Sequence, residues 1–221
     1  MKNKPLPHIP LSLAILVLVL SACSQFATSK KPGEGISLKP CDLQGIQAEC
    51  GKLPVYENRA DTAGRVIEIN VAVVRAKSKP AQPDPLFFFT GGPGGAGTQM
   101  AQLAVRMFAE VNQQRDIILF DQRGTGESNK LICLEIDEDG KPEAYIDRCL
   151  ADLPGDPRFY TTTIAMQDVD EIRQALGYEA INVYSISYGA TAVQVYMNLF
   201  PGRVRSAVLD PARCCKFLSA T

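Results

Sequence analysis

Ser187 is the residue whose setting most clearly suggests chemistry, because it sits in the hexapeptide YSISYG at positions 184–189. An apolar run at 181–184 leads into it, and a run with helical character, 190–200, follows it. A strand, a sharp turn carrying a serine and a helix together form a nucleophile elbow, which holds the hydroxyl clear of the backbone. The usual motif is G-x-S-x-G, and Ser185 replaces its first glycine. The alternative interpretation is an ordinary strand-to-helix loop that contains serines.

Two further loops follow short apolar runs in the same manner. The glycine-rich loop 90–97 follows the run 86–89, and the loop 121–128, with sequence DQRGTGES, follows the run 117–120. Strands that alternate with helices predict an α/β fold with a mostly parallel sheet and helices on both faces. Ligands of such sheets bind at the carboxyl ends of the strands, so all three loops are expected at one edge.

Acyl transfer through Ser187 requires backbone N–H donors that face the developing oxyanion. One donor is the residue after the nucleophile, Tyr188, and the second comes from a glycine-rich loop, for which Gly92 is the candidate. Each such donor typically contributes about 2.7–4 kcal/mol of transition-state stabilisation. The helix that begins near Gly189 adds positive potential at the same place.

The segment 92–97 also matches the dinucleotide-binding motif G-x-G-x-x-G, and Asp121 ends the next strand where a ribose-binding acid is expected. This pattern supports an alternative hypothesis, a dinucleotide-binding oxidoreductase. It leaves Ser187 without a role, and a long loop of glycine and proline gives such matches easily.

Several other elements are predicted from periodicity. Alternation at 65–74 predicts a strand near a sheet edge that is partly solvated, and the apolar run 204–209 predicts a strand that ends at Asp210. The remaining predictions are a helix at 100–111 with Leu103, Met107 and Val111 on one face, and a helix at 162–176 with Thr162 or Thr163 as its cap and Gly177 at its C′ position.

The first 22 residues are typical of an export signal. A basic start with Lys2 and Lys4 precedes a short apolar run, 11–20, and small residues then precede Cys23. We expect cleavage before Cys23 and lipidation of its thiol, with an ordinary secretory signal as the alternative. The expected location is the bacterial cell envelope, and the outer membrane if the cell is Gram-negative.

Export implies an oxidising compartment, in which cysteines pair. The plausible local pairs are Cys41 with Cys50 and Cys133 with Cys149. Metal binding is the rival hypothesis, but no C-x-x-C spacing or neighbouring histidine supports it, so no metal is expected. The net charge of −1 and the absence of a basic face make nucleic acid an improbable partner.

The three loops together resemble the proline iminopeptidase / tripeptidyl aminopeptidase family of α/β-hydrolases, and the segment 41–54 and the strand ending at Asp210 resemble its exported members. The resemblance implies a serine hydrolase that releases N-terminal residues or short peptides without a cofactor. It also implies that the DQRGTGES loop is mainly structural, with Asp121 and Arg123 bracing the site. The expected organisation is a signal peptide at 1–22, a flexible tether at 23–40, and the N-terminal part of the hydrolase domain at 41–210.

The resemblance ends after Asp210. Residues 211–221 differ from the family, in which a cap and two strands with the acid and the histidine of the triad follow, so we expect a truncated chain. The sole histidine of the sequence is His8, in the leader. A serine hydroxyl needs an adjacent base, and Asp210 is more readily understood as a loop-anchoring residue than as that base. We therefore expect an inactive product, or a non-catalytic envelope lipoprotein that keeps the fold for binding.

Overall fold

The computed structural model of the protein describes residues 35–133 and 142–210. Seven strands form one sheet: β1 Lys39–Leu43, β2 Ile46–Tyr56, β3 Val66–Val74, β4 Leu86–Phe89, β5 Ile117–Phe120, β6 Ile181–Ile186 and β7 Val204–Asp210. The α-helices are α1 Ala101–Met107, α2 Val111–Gln114, α3 Pro142–Asp152, α4 Thr162–Ala175 and α5 Tyr188–Leu199, and 3-10 turns lie at Thr98–Met100 and Pro157–Phe159. No helix in the described part of the chain combines the length and apolarity needed to cross a bilayer.

The sheet has the strand order β1-β2-β3-β5-β4-β6-β7. The strands β4, β5, β6 and β7 are parallel neighbours, whereas β1, β2 and β3 join them as antiparallel strands. This is the predicted α/β architecture with an antiparallel extension. The carboxyl ends of β4, β5 and β6 meet at one edge, so the three unusual loops that follow these strands also meet there.

Each face of the sheet carries its own apolar core. Helices α4 and α5 cover one face, where fully buried side chains such as Phe89, Met166 and Tyr196 interdigitate. Helix α1 covers the other face through Ala101 and Ala104. The short strands β4 and β5 are buried at every position because both faces are covered, which confirms their prediction as buried strands.

The strand predicted at 65–74 exists as β3, but its expected position near a sheet edge is wrong. The β1–β2 hairpin pairs with β3 and places it in the interior of the sheet. Only its first half alternates between exposed and buried residues, and residues 71–74 are buried or nearly so. The alternating sequence correctly indicated that the N-terminal half of β3 is partly exposed. No sequence pattern predicted the β1–β2 hairpin that pairs with its edge.

The helix predicted at 100–111 is also corrected. It is divided into α1 and α2. Ala101 and Ala104 of α1 are buried, and the predicted Leu103 and Val111 are partly buried and pack against the core. Met107, predicted on the buried face, is 44% exposed. The predicted face is therefore correct for Leu103 and Val111 and wrong for Met107.

Helix α4 confirms the predicted element and its C-terminal end. Gly177 has φ of 81°, and the bonds from its N–H to Gln174 O and from Tyr178 N to Arg173 O form a Schellman motif. The N-terminal cap is Thr161, one residue before the predicted pair, and its hydroxyl accepts from Ile164 N.

The folded part of the chain begins earlier than the predicted boundary at residue 41. Ile36 and Leu38 contact the core, and β1 begins at Lys39, so the end of the predicted tether belongs to the domain. The structure joins Cys41 to Cys50 and Cys133 to Cys149 as disulfides. The predicted signal peptide, Cys23 and the segment 211–221 lie outside the described residues.

Candidate active site

Ser187 occupies the turn between β6 and α5, with φ of 55° and ψ of −120°. A positive φ is unfavourable for a residue with a side chain, and such strain typically costs about 1–3 kcal/mol. The turn is held from two sides, because Ser187 N donates to Asp210 O at 2.7 Å and Ala190 N donates to Ser187 O at 2.9 Å. A strained serine fixed between a strand and a helix is the geometry of a nucleophile elbow.

Glycines allow the loop after β4 to approach this turn. A Cβ on Gly91 would lie 2.9 Å from the Cβ of Ser187, and a Cβ on Gly189 would lie 2.7 Å from the carbonyl oxygen of Phe89. Both distances are shorter than side chains tolerate, so both positions require glycine. Gly91 thus lies directly against the nucleophile turn, and Gly92, the predicted oxyanion donor, follows it in the same loop with φ of 57°.

Tyr188 begins α5, so its N–H has no intrahelical acceptor. Its hydroxyl lies 2.7 Å from Thr162 Oγ1 at the start of α4, and either group can donate. This hydrogen bond ties the N-termini of two helices together beside Ser187. Nothing in the sequence pattern indicated the pairing, because the two residues are separated by 26 positions.

The replacement of the first motif glycine by Ser185 has a local explanation. Its side chain is fully buried and its hydroxyl donates to Val208 O at 3.3 Å. Ser185 therefore connects β6 to β7 and does not face the site.

Asp210 lies at the end of β7 and anchors the elbow through its backbone carbonyl. Its carboxylate accepts a hydrogen bond from the hydroxyl of Tyr184 at 3.3 Å, and burial together with this carboxylate raises the pKa of Tyr184. These contacts fit the anchoring role expected from the sequence.

The loop 121–128 is a structural brace, as the resemblance implied. The buried carboxylate of Asp121 accepts from Thr98 N and Oγ1, from Asn70 Nδ2 and from Glu127 N. Ser128 Oγ donates to Asp121 O. Because the Asp121 carboxylate is fully buried and saturated with internal donors, it cannot bind a ribose, and the structure gives the dinucleotide-binding hypothesis no support.

Arg123 is the second element of this brace. Its buried guanidinium binds both carboxylate oxygens of Asp168 at 2.6 and 2.7 Å, and its remaining N–H groups donate to the carbonyls of Tyr56, Glu57 and Phe159. All five donors of the side chain are thus used. Removing one partner of such a buried pair typically costs about 3–5 kcal/mol, so this contact fixes the loop against α4.

A cleft of about 290 Å³ lies beside the elbow. Its walls come from the loops after β4 and β5, the start of α4 and the start of α5, through residues Pro93, Gly94, Gln122, Arg123, Gly124, Thr125, Leu131, Tyr160, Thr161, Thr162, Ala165 and Tyr188. In this wall, burial and a hydrogen bond to Glu57 raise the pKa of Tyr160 to about 12. No sequence pattern predicted that Tyr160, Thr162 or Asp168 contributes to the site.

A strained serine at the carboxyl edge of a parallel sheet, with a glycine loop against it and a cleft beside it, defines a hydrolase-type site. The chain belongs to the alpha/beta hydrolase fold family, whose sequence profile matches residues 84–219. Known relatives carry peptidase names. The serine protease Hip1 of Mycobacterium tuberculosis is 26% identical over 241 aligned residues, covering 91% of this chain and 45% of that protein.

The tripeptidyl aminopeptidase of Streptomyces lividans is 27% identical, covering 73% of this chain and 35% of that protein. Among solved structures, an alpha/beta hydrolase from Novosphingobium aromaticivorans superimposes with a TM-score of 0.50 at 15% identity, covering 73% of this chain and 43% of that one. The chain therefore spans less than half the length of these relatives.

Proposed function

We propose that this chain is the nucleophile-bearing part of a serine peptidase, with Ser187 as the nucleophile and the N–H groups of Tyr188 and Gly92 as oxyanion donors. The observation that carries the proposal is the strained backbone of Ser187 at the elbow, held against Gly91. Strain of this kind persists at functional sites because the surrounding structure enforces it. The named relatives support a peptide substrate and release of N-terminal residues or short peptides.

In the proposed reaction the Ser187 hydroxyl attacks the scissile carbonyl and a base accepts its proton. The oxyanion then receives hydrogen bonds from the two backbone donors. The 221 residues contain one histidine, His8, which lies in the predicted leader. We therefore propose that this polypeptide alone does not turn over peptides, and that peptide hydrolysis requires a base from another segment.

A fluorophosphonate probe tests the assignment of the nucleophile. We expect slow labelling of the folded chain, faster labelling when imidazole is added as an external base, and no labelling of Ser187→Ala. The matched control is Ser185→Ala, which should label like the unmodified chain because Ser185 is buried away from the site. A folded chain that never labels, even with imidazole, would instead favour a non-catalytic binding role.

We also propose that the chain is an exported lipoprotein anchored in the cell envelope through Cys23. The support is the order of basic residues, apolar run and small residues before that cysteine. Incorporation of labelled palmitate that is lost in Cys23→Ser is the expected result, and incorporation that survives the substitution contradicts the proposal.

A further inference from the structure

Two side-chain hydrogen bonds connect α4 to α5, and they are spaced alike along both helices. The hydroxyl of Tyr188 lies 2.7 Å from Thr162 Oγ1, and the hydroxyl of Tyr196 donates to Asp170 Oδ1 at 3.0 Å. In each helix the second residue follows the first by eight positions, so the two bonds lie roughly 12 Å apart along the helix axes. The helices therefore run side by side in the same direction and are joined at two levels.

The two bonds lie in different surroundings. The bond between Tyr196 and Asp170, the core bond, is buried, and Asp170 also binds Arg173. The bond between Thr162 and Tyr188, the edge bond, lies at the N-terminal ends of both helices, and both of its residues line the cleft. Only the edge bond includes a residue of the elbow.

Helix α4 is held in place independently of α5. The buried carboxylate of Asp168 binds Arg123 through both oxygens, at 2.6 and 2.7 Å, and also pairs with Arg59. Arg123 belongs to the brace loop that follows β5. A continuous series of contacts thus runs from this loop through α4 to the hydroxyl of Tyr188.

The peptide group between Ser187 and Tyr188 depends on such support. Ser187 has the strained φ of 55°, and the N–H of Tyr188 makes no hydrogen bond within residues 35–133 and 142–210. This N–H is available to an oxyanion, but a donor stabilises a transition state fully only when it is already oriented. Because the tyrosine ring is rigid, a fixed hydroxyl also restrains the backbone of residue 188.

We propose that Thr162 is a positioning residue for the oxyanion donor. Its hydroxyl holds the hydroxyl of Tyr188 and thereby fixes the N–H of that residue beside the nucleophile. The proposal rests on the proposed function, because an oxyanion donor has a role only if Ser187 attacks a carbonyl. Thr162 acts through Tyr188 and does not touch the reacting atoms.

The test is the rate at which the fluorophosphonate probe labels Ser187 in the presence of imidazole. Thr162→Val keeps the shape of the side chain and removes its hydroxyl, so labelling should be about fivefold slower. The factor should be the same at every imidazole concentration, because the change affects the oxyanion and not the base. Thr162→Ser retains the hydroxyl and should label like the unmodified chain.

A double-mutant cycle tests whether the two hydroxyls act through their mutual bond. Tyr188→Phe should slow labelling by the same factor as Thr162→Val. The double variant should be no slower than either single variant, since each substitution removes the same bond.

The matched controls are Thr163→Val and Tyr196→Phe. Thr163 is the exposed neighbour of Thr162, and its substitution should leave labelling unchanged. Tyr196→Phe removes the core bond between the same two helices, so it should lower the urea unfolding midpoint without slowing labelling. This control separates the positioning of the elbow from a general weakening of the contact between α4 and α5.

A second measurement does not depend on labelling. The ¹⁵N relaxation of the Tyr188 amide gives its backbone order parameter, which is about 0.85 for a rigid backbone and below about 0.6 for a flexible one. We expect the order parameter to fall in Thr162→Val and to return to its original value in Thr162→Ser.

Unchanged labelling in Thr162→Val, no rescue by Thr162→Ser, or additive effects in the double variant would each overturn the positioning role. If the unmodified chain labels and Thr162→Val labels equally fast, the proposed function stands and the positioning role falls. If the unmodified chain never labels, the proposed function falls, and the Tyr188 amide decides the remaining question. An unchanged order parameter in Thr162→Val then overturns the restraint by Thr162, and a lowered one supports it.

Discussion

Substitution of Gly189 in α5 by alanine has two opposing effects on the stability of the protein. Alanine is favoured over glycine in a helix by about 0.8–1.0 kcal/mol, which on its own would stabilise the protein. The added Cβ, however, would lie 2.7 Å from Phe89 O and 2.8 Å from Thr90 O, and both are backbone atoms at the end of a buried strand. Neither oxygen can rotate away as a side chain could, so β4 or α5 must shift.

The expected magnitude follows from the difference of these terms. Overpacking of a buried position typically costs about 1–3 kcal/mol, and two close backbone contacts place Gly189→Ala at the upper end. Subtracting about 1 kcal/mol of helix propensity leaves a net destabilisation of about 2 kcal/mol. With a urea m-value of about 2 kcal/mol/M, the unfolding midpoint should fall by about 1 M.

The measurement is urea unfolding followed by far-UV circular dichroism, with Thr191→Ala as the matched control. Thr191 lies two residues later in α5 and is exposed, so its substitution should stabilise the chain by a few tenths of a kcal/mol through propensity alone. A Gly189→Ala variant as stable as the unmodified chain, or more stable, would refute the close approach of the loop to the elbow.

Two further predictions concern the elbow and the cleft. Ser187→Gly should be more stable than Ser187→Ala by about 1 kcal/mol in the same unfolding assay, because glycine adopts the positive φ of the elbow without strain; equal stability of the two variants would contradict the strain. The pKa of Tyr160 is raised from 10.0 to about 12 in the folded state, so the unfolded state loses this proton first and stability should fall as pH rises from about 10 to 12. Tyr160→Phe should show a smaller alkaline loss of stability than the unmodified chain in pH-dependent unfolding, and an identical pH profile would count against the shift.

Predictions from the sequence were correct for the elements that local residues determine. The buried runs that form β4 and β5 are apolar at every position, which requires cover on both faces, and the fold class followed from their alternation with helices. The end of α4 was predicted because Gly177 readily adopts the left-handed conformation of a Schellman motif. The elbow was found because strand, serine turn and helix are contiguous in the chain.

Predictions failed where a distant segment decided the outcome. The interior position of β3 depends on the β1–β2 hairpin, and the packing of α1 on the sheet places Ala101 and Ala104, rather than Met107, in the core. The ion pair between Arg123 and Asp168 joins residues that are 45 positions apart. Nothing in the sequence near either residue indicates its partner. The contact between Gly91 and Ser187 was not predicted, because a run of glycines does not show which one meets the turn.

The sequence by itself therefore determined the hydrolase family signature, the position of the candidate serine and the absence of any histidine other than His8, since these depend on residue type and contiguous order. Only the tertiary structure decided how the serine is held, which glycines are obligatory, and which side chains form the cleft beside it. These features depend on distances between loops that follow three different strands. Such distances are set by the packing of the sheet and its helices, and no local pattern in the chain encodes them.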